Sequence, residues 1–107
     1  MFDWEIQLAR FLEREGYDVS YTTDVDVSRD PSSLLGHQLD IVAGHDEYWS
    51  LEQRNGYEAA RDAGVNLAFY GANTGFWQIR YQDDYRTIVG YKASAPDPSP
   101  DRARTTV

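Results

Sequence analysis

Residues 39–50, LDIVAGHDEYWS, decide the fold, because a short apolar run passes through a polar loop into a helix start. The run Leu39–Ala43 is too short for a helix and is typical of a strand buried between helix layers. Ser50 and Gln53 have the spacing of a capping box, which predicts a helix that begins at Ser50 and ends at Ala63.

The segments on both sides of this stretch extend the pattern. A helix is predicted over Asp3–Glu15 and a strand over Tyr17–Thr23. A loop follows over Asp24–Gln38, with a short helical turn at Pro31–Leu35, and the next buried strand is predicted over Val65–Tyr70. Because strands alternate with helices, we expect an α/β fold with a parallel sheet and right-handed crossovers.

The C-terminal part of the chain has a different pattern. Phe76–Tyr81 and Thr87–Tyr91 are two β-like runs around Gln82–Tyr85, which predicts a β-hairpin added to the parallel core. We therefore divide the chain into an α/β domain over residues 1–93 and a flexible tail, rich in Pro, Asp and Arg, over residues 94–107.

Composition excludes several classes of protein. The chain of 107 residues has room for at most one domain. Its net charge of −8 and the lack of a basic patch argue against nucleic acid as a partner. The absence of cysteine excludes disulfides, thiolate zinc sites and Cys nucleophiles. Without a signal peptide or a membrane-spanning apolar run, we expect no membrane partner and a cytoplasmic location.

Polar side chains follow each predicted strand, at Tyr21–Asp24, Gly44–Tyr48 and Gly71–Thr74. Ligands of open parallel sheets bind at the carboxyl ends of the strands. We therefore expect one crevice to hold the following candidate residues: His45, Asp46, Glu47, Tyr48, Asn73 and Tyr21.

The loop before the second helix is the densest of these strand ends. A carboxylate and a histidine near a helix N-terminus could serve as general acid and base, so His45, Asp46, Glu47 and Asn73 are the catalytic candidates. Carboxylate, imidazole and phenolate groups also suit iron, zinc or manganese.

Each candidate also has a purely structural interpretation. Asp46 or Glu47 could serve only the helix N-terminus, and a lone histidine such as His45 is more often structural. Asn73 lies between two glycines, Gly71 and Gly75, and could simply permit a tight turn, while Tyr21 could be an ordinary strand aromatic. The residues alone therefore predict an α/β domain with a polar crevice.

Three strings together carry a family resemblance: GHDEYWS at 44–50, GVNLAF at 64–69 and NTGFW at 73–77. Combined, they resemble the C-terminal domain of the N,N-dimethylformamidase large (beta) subunit family. Supporting matches are Asp3–Glu5, Gly16–Val19 and Tyr91-Lys92, so that the resemblance covers about residues 3–98.

The resemblance implies a fold related to class I glutamine amidotransferases, with a three-layer, mainly parallel, flavodoxin-like sheet. The Cys nucleophile of those amidotransferases has no counterpart here. Characterised relatives hydrolyse a small amide to an acid and an amine, and they hold a mononuclear iron with two tyrosines and one glutamate.

Carried over residue by residue, the resemblance implies that Tyr48 is one iron ligand and that Tyr21 is the candidate for the second. On this resemblance we expect the glutamate to lie beyond the end of this chain, with Glu47 as the only local stand-in. We therefore expect an incomplete domain that hydrolyses the C–N bond of a non-peptide amide only together with the missing remainder of a longer chain or subunit.

Two other hypotheses remain open. The chain could be a non-catalytic domain that binds a polar small molecule or a sugar through His45, Asp46 and Asn73, with Trp49 and Trp77 as aromatic walls or as core residues. It could also be a fragment that never folds stably, because three parallel strands and two helices leave an exposed sheet edge and a small core.

Overall fold

The computed structural model describes residues 5–93 and 95–104. Three α-helices, two 3₁₀ helices and five strands occur within these ranges. They are α1 (Glu5–Arg14), α2 (Asp24–Arg29), a 3₁₀ helix (Pro31–Gly36), β1 (Leu39–Ala43), β2 (Tyr48–Ser50), α3 (Leu51–Asp62), β3 (Asn66–Tyr70), β4 (Trp77–Gln82), β5 (Thr87–Gly90) and a second 3₁₀ helix (Arg102–Arg104). The start predicted for the first helix, at Asp3, lies outside the described residues.

The strands form two small sheets. β1 and β3 pair in parallel, with Ala43 opposite Tyr70 at their carboxyl ends. β4 forms the centre of the second sheet, parallel to β2 and antiparallel to β5. The prediction of a mixed α/β fold with parallel pairing is thus confirmed, whereas one three-layer, flavodoxin-like sheet is not confirmed within the described residues.

Helix α3 begins where the sequence predicts a cap. The Ser50 hydroxyl accepts a hydrogen bond from the backbone N–H of Gln53 at 3.0 Å, which satisfies one donor at the helix start. The other half of the predicted capping box does not form. The Gln53 amide instead donates to the Asp24 carboxylate on α2, at 2.9 Å. Gln53, three residues after the cap residue Ser50, therefore links α3 to α2.

The core is small and lies between α2, α3, the first 3₁₀ helix and one face of the β1–β3 pair. Its buried members are Val27, Leu34, Val42, Tyr57 and Ala60, with Trp49, Val65 and Leu67 packed against them. Gly56 lets α3 approach this core closely, because a Cβ there would lie 2.9 Å from the Pro31 Cβ.

The strand predicted over Tyr17–Thr23 is wrong. This segment has no ladder partner among the described residues, and its aromatic side chains are exposed, with Tyr17 at 61% and Tyr21 at 64%. Alternating aromatic residues favour a strand only when a neighbouring strand supplies hydrogen bonds and a packing surface.

The loop predicted over Asp24–Gln38 contains α2 as well as the expected turn at Pro31. Thr23 caps α2, since its hydroxyl accepts from the Asp26 N–H at 3.3 Å while Asp26 accepts from the Thr23 N–H at 3.2 Å. A reciprocal Thr–Asp pair of this kind is a helix start signal, and it outweighs the low helix propensity of Asp and Ser.

The predicted hairpin of β4 and β5 is confirmed. Its turn is tight, because Asp83, Asp84 and Tyr85 all have positive φ angles, of 51°, 54° and 62°. The Tyr85 ring packs against Tyr81 and beneath the Arg29 guanidinium, which anchors the turn to α2.

The described part of the tail, residues 95–104, contacts β4 and α3. Both terminal nitrogens of Arg80 donate to the buried Asp97 carboxylate, at 2.7 and 2.8 Å. The Gln78 amide donates to the Ala103 carbonyl, and Arg104 pairs with Glu52. The flexibility predicted for this tail stays a prediction. No helix in the described ranges is long and apolar enough to cross a bilayer.

We predict that Gly56→Ala lowers the free energy of unfolding by about 1 kcal/mol, although alanine is the better helix former. The added methyl group would overlap Pro31, and overpacking of this kind typically costs more than the propensity gain. Urea unfolding followed by circular dichroism measures the change. Gly36→Ala is the matched control, since a Cβ at Gly36 meets no atom within 4 Å. A Gly56→Ala chain more stable than the parent would contradict this packing.

Candidate functional site

Two loops meet at the carboxyl ends of β1 and β3, and backbone hydrogen bonds join them. The Gly44 N–H donates to the Tyr70 carbonyl at 3.1 Å. The Gly75 N–H donates to the backbone carbonyl of Asp46 at 2.8 Å, and the Trp77 N–H donates to that of Glu47 at 2.9 Å. Two of the three predicted strand ends therefore share one edge, as the parallel pairing requires.

Glycine is required where these loops approach one another. A Cβ on Gly71 would lie 1.8 Å from the Gly44 carbonyl oxygen, a distance that no side chain tolerates. Gly75 has a φ of 62°, and a Cβ there would lie 2.8 Å from the Trp49 ring. An apolar cavity of about 240 Å³ opens beside this crossing, lined by Leu8, Ala43, Gly44 and Tyr70.

Asp46 is held by an indole rather than by the helix that follows. Its carboxylate accepts a hydrogen bond from the Trp49 Nε1–H at 2.7 Å, while Ser50 caps α3. Burial raises the pKa of Asp46 to about 6; the Asp24 carboxylate adds to the rise and the Trp49 hydrogen bond opposes it. Asp46 is therefore a half-buried carboxyl group that can exchange a proton near neutral pH.

His45 and Glu47 form a pair two residues apart. The His45 Nε2 lies 3.1 Å from a Glu47 carboxylate oxygen. The imidazole is 55% exposed, whereas the Glu47 side chain is only 17% exposed. A histidine whose ring is oriented by a carboxylate and open to solvent is suited to proton transfer.

Tyr48 starts β2, a short strand that the sequence did not predict. It is 42% exposed and lies directly opposite Trp77 on β4. The Lys92 ammonium lies 5.6 Å from the centre of the Tyr48 ring and 5.3 Å from that of Trp77. Sequence reasoning gave Lys92 no role, although it is the only lysine in the chain.

Asn73 and Tyr21 are placed differently from the other candidates. Asn73 is exposed and has a φ of 56°, and its carbonyl accepts from the Phe76 N–H at 3.0 Å, which is the geometry of a tight turn. The Tyr21 phenol donates to Glu13 on α1 at 2.8 Å, and this bond raises the pKa of Tyr21. Tyr21 is thus engaged by α1 rather than by the Gly44–Ser50 loop.

Sequence reasoning also missed an aromatic cluster behind the loop. The Trp49 and Tyr57 rings stack with their centres 4.7 Å apart, and Phe69 packs against both. Burial, followed by the charges of Asp46 and Asp24, raises the pKa of Tyr57, which keeps its phenol protonated. Tyr57 lies four residues after Gln53 on one face of α3, and this spacing was the available signal.

The described residues contain no cluster of three or more His, Cys, Asp or Glu side chains that could hold a metal ion. The Tyr48 phenol is a hard donor that suits ferric iron. With Tyr21 bound to Glu13, however, the donor set of the described ranges does not fit a complete iron site.

Comparison with known protein families finds a match. The family described as N,N-dimethylformamidase beta subunit-like, C-terminal, matches residues 1–107, the whole chain. A search of the curated proteins finds no match.

We predict that Asp46→Asn flattens the pH dependence of stability between about pH 4 and pH 7. Because the folded chain raises the pKa of Asp46 to about 6, it binds more protons than the unfolded chain in this window. The contribution of Asp46 to the free energy of unfolding therefore falls as pH rises. Since the carboxyl group is partly solvated, we expect a loss on the order of 1 kcal/mol.

Urea unfolding at several pH values measures this difference. Asparagine keeps an oxygen that accepts from Trp49, so the variant should match the parent near pH 4 and exceed its stability at pH 7. Asp18→Asn, at an exposed position, is the control and should follow the parent curve. An Asp46→Asn curve parallel to the parent would show that Asp46 is not held in this way.

Proposed function

Because the chain belongs to the family of N,N-dimethylformamidase beta subunit-like C-terminal domains, we propose that it forms part of a metal-dependent amide hydrolase. In this proposal its loop of residues 44–50 faces the C–N bond of a small, non-peptide amide. Family membership supports the hydrolase class, while the substrate and the metal belong to the proposal.

The observation that carries the proposal is the hydrogen-bonded meeting of the two loops at the carboxyl ends of β1 and β3. There the Gly75 N–H donates to the Asp46 carbonyl and the Trp77 N–H donates to the Glu47 carbonyl. These backbone hydrogen bonds fix the two residues that precede Tyr48. The carboxyl edge of parallel strands is where α/β proteins bind ligands. The open, mostly apolar pocket beside Gly44 lies at the same edge.

Hydrolysis adds one water molecule across the C–N bond of the amide. The oxygen of a water molecule bonds to the amide carbonyl carbon, the C–N bond breaks, and the departing amine gains a proton. His45, oriented by Glu47, can take the proton from water and return it to the amine. Asp46, held by Trp49, is a second carboxyl group that can change its protonation near neutral pH.

The iron implied by the resemblance is assigned to Tyr48, with further ligands from polypeptide outside the described residues. The supporting observation is the position of Tyr48: the residue is 42% exposed and begins β2 within the loop of residues 44–50. A phenolate oxygen there would be a hard ligand for ferric iron. The Tyr21 phenol is bonded to Glu13 on α1, and the Asn73 carbonyl accepts from the Phe76 N–H in a tight turn.

We predict that the purified 107-residue chain binds no stoichiometric iron and has no amidase activity, because one phenolate ligand holds the ion too weakly. Metal analysis and visible absorption spectroscopy after incubation with ferric iron test this. A tyrosinate–iron absorption band together with one bound iron per chain would show that the described residues are sufficient.

We further predict that replacing the tyrosine that matches Tyr48 with phenylalanine, in a full-length family member, abolishes iron binding and activity. The change removes only the phenol oxygen and keeps the ring that Lys92 contacts. The tyrosine that matches Tyr17 is the control, since it is exposed and lies between α1 and α2 rather than on β2. Retained iron and activity in the Tyr48 variant would remove this residue from the site.

A second candidate function is a non-catalytic domain that binds a polar small molecule or a sugar. The partly exposed pair Tyr48 and Trp77, with Lys92 beside both rings, favours it, because ring faces next to an ammonium group suit polar ligands with apolar surfaces. Metal analysis of an intact family member separates the two functions, since the binding domain requires no metal.

A further inference from the structure

Lys92 lies at the candidate site, and the proposed hydrolysis does not yet use it. It follows β5 and is exposed, and its ammonium group lies within 6 Å of the ring centres of both Tyr48 and Trp77. Because these two residues are directly opposite in the β2–β4 pairing, their rings form one surface. An ammonium group over ring faces is held by attraction to the π electrons.

The contacts of Lys92 leave its charge available. Rings provide no acceptor for its three N–H donors, and no carboxylate pairs with it in the parts of the chain that the structure describes. Five described arginines, by contrast, each lie beside a carboxylate: Arg14 beside Glu15, Arg54 beside Glu58, Arg61 beside Asp62, Arg80 beside Asp97 and Arg104 beside Glu52 and Asp101. Lys92 is therefore a local positive centre on a chain of net charge −8.

We propose that the Lys92 ammonium binds a small carboxylate, the acid product of amide hydrolysis, at the surface formed by Tyr48 and Trp77. This inference rests on the proposed function and adds a substrate-binding residue to it. Breaking the C–N bond converts a neutral amide into a carboxylate and an amine, so a cation beside the reacting group can offset the new negative charge. An ammonium group forms short, charge-assisted hydrogen bonds to a carboxylate.

The competing interpretation is an ordinary surface lysine whose methylene stem covers two aromatic rings. In that case the ammonium is hydrated and small anions do not bind. The two interpretations differ in one measurable property, the saturable binding of a small carboxylate that depends on the charge at residue 92.

The single lysine makes the test selective. Reductive methylation of the full 107-residue chain with ¹³C-formaldehyde labels only the Lys92 amine and the N-terminal amine, which is an internal reference. We expect sodium formate to shift the Lys92 resonance saturably, with sodium chloride at equal ionic strength as the control. No shift, or an equal shift of both resonances, would overturn the proposal.

Variants of the unmethylated chain give a second readout, the indole N–H resonance of Trp77 during a formate titration. Lys92→Arg keeps the positive charge and should bind formate within about threefold of the parent. Lys92→Gln, and Lys92→Met with its apolar stem, should weaken binding at least about tenfold, the loss typical of a charged hydrogen bond. Arg61→Gln on α3 is the charge-matched control. Equal formate binding by the parent and Lys92→Met would overturn the proposal.

The failure of this inference can be told apart from the failure of the proposed function. The formate titrations use a chain without iron, so they report on Lys92 alone. Retained activity in the Tyr48→Phe homologue would remove the proposed iron ligand and leave a positive formate result in place. If the homologue loses its iron and the 107-residue chain binds no formate, the proposal for Lys92 is overturned. Tyr48 then keeps its role as iron ligand.

Discussion

The Trp49 side chain joins the parts of this molecule that make up the candidate site. Its indole N–H donates to Asp46, its ring stacks on Tyr57 of α3, and its face leaves no room for a side chain at position 75. One residue thus connects the loop after β1, the helix that follows it and the loop after β3. Because Tyr48 directly precedes Trp49, this anchoring also fixes the backbone position from which the Tyr48 side chain extends.

The same anchoring explains the electrostatics of the loop. Burial disfavours the charged form of Asp46, which accepts from the Trp49 indole, and the nearby Asp24 carboxylate disfavours a second negative charge. Both effects raise the pKa of Asp46 towards neutrality. The chain thus has two chemically different acids in one short loop: Asp46 beside an indole and Glu47 beside an imidazole.

Local sequence patterns could predict the elements whose stabilising partners lie nearby in the chain. Leu39–Ala43 is a strand with the predicted limits, and the Ser50 cap defines the start of α3, because an apolar run and a cap are local signals. The strand predicted over Tyr17–Thr23 was wrong, since a strand depends on a partner that its own sequence does not specify. The three-residue strand β2 was missed for the same reason.

The candidate site could be predicted in outline but not in its contacts. The His45–Glu47 pair follows from adjacency in the chain, whereas the approach of Lys92 to Tyr48 depends on how the β4–β5 hairpin pairs with β2. The central claim, that this loop presents Tyr48 to a metal, is tested most directly by anomalous diffraction at the iron edge from crystals of an intact family member. The account predicts an iron peak within bonding distance of the phenol oxygen that matches Tyr48. A peak elsewhere, with that oxygen packed among other side chains or facing bulk water, would contradict it.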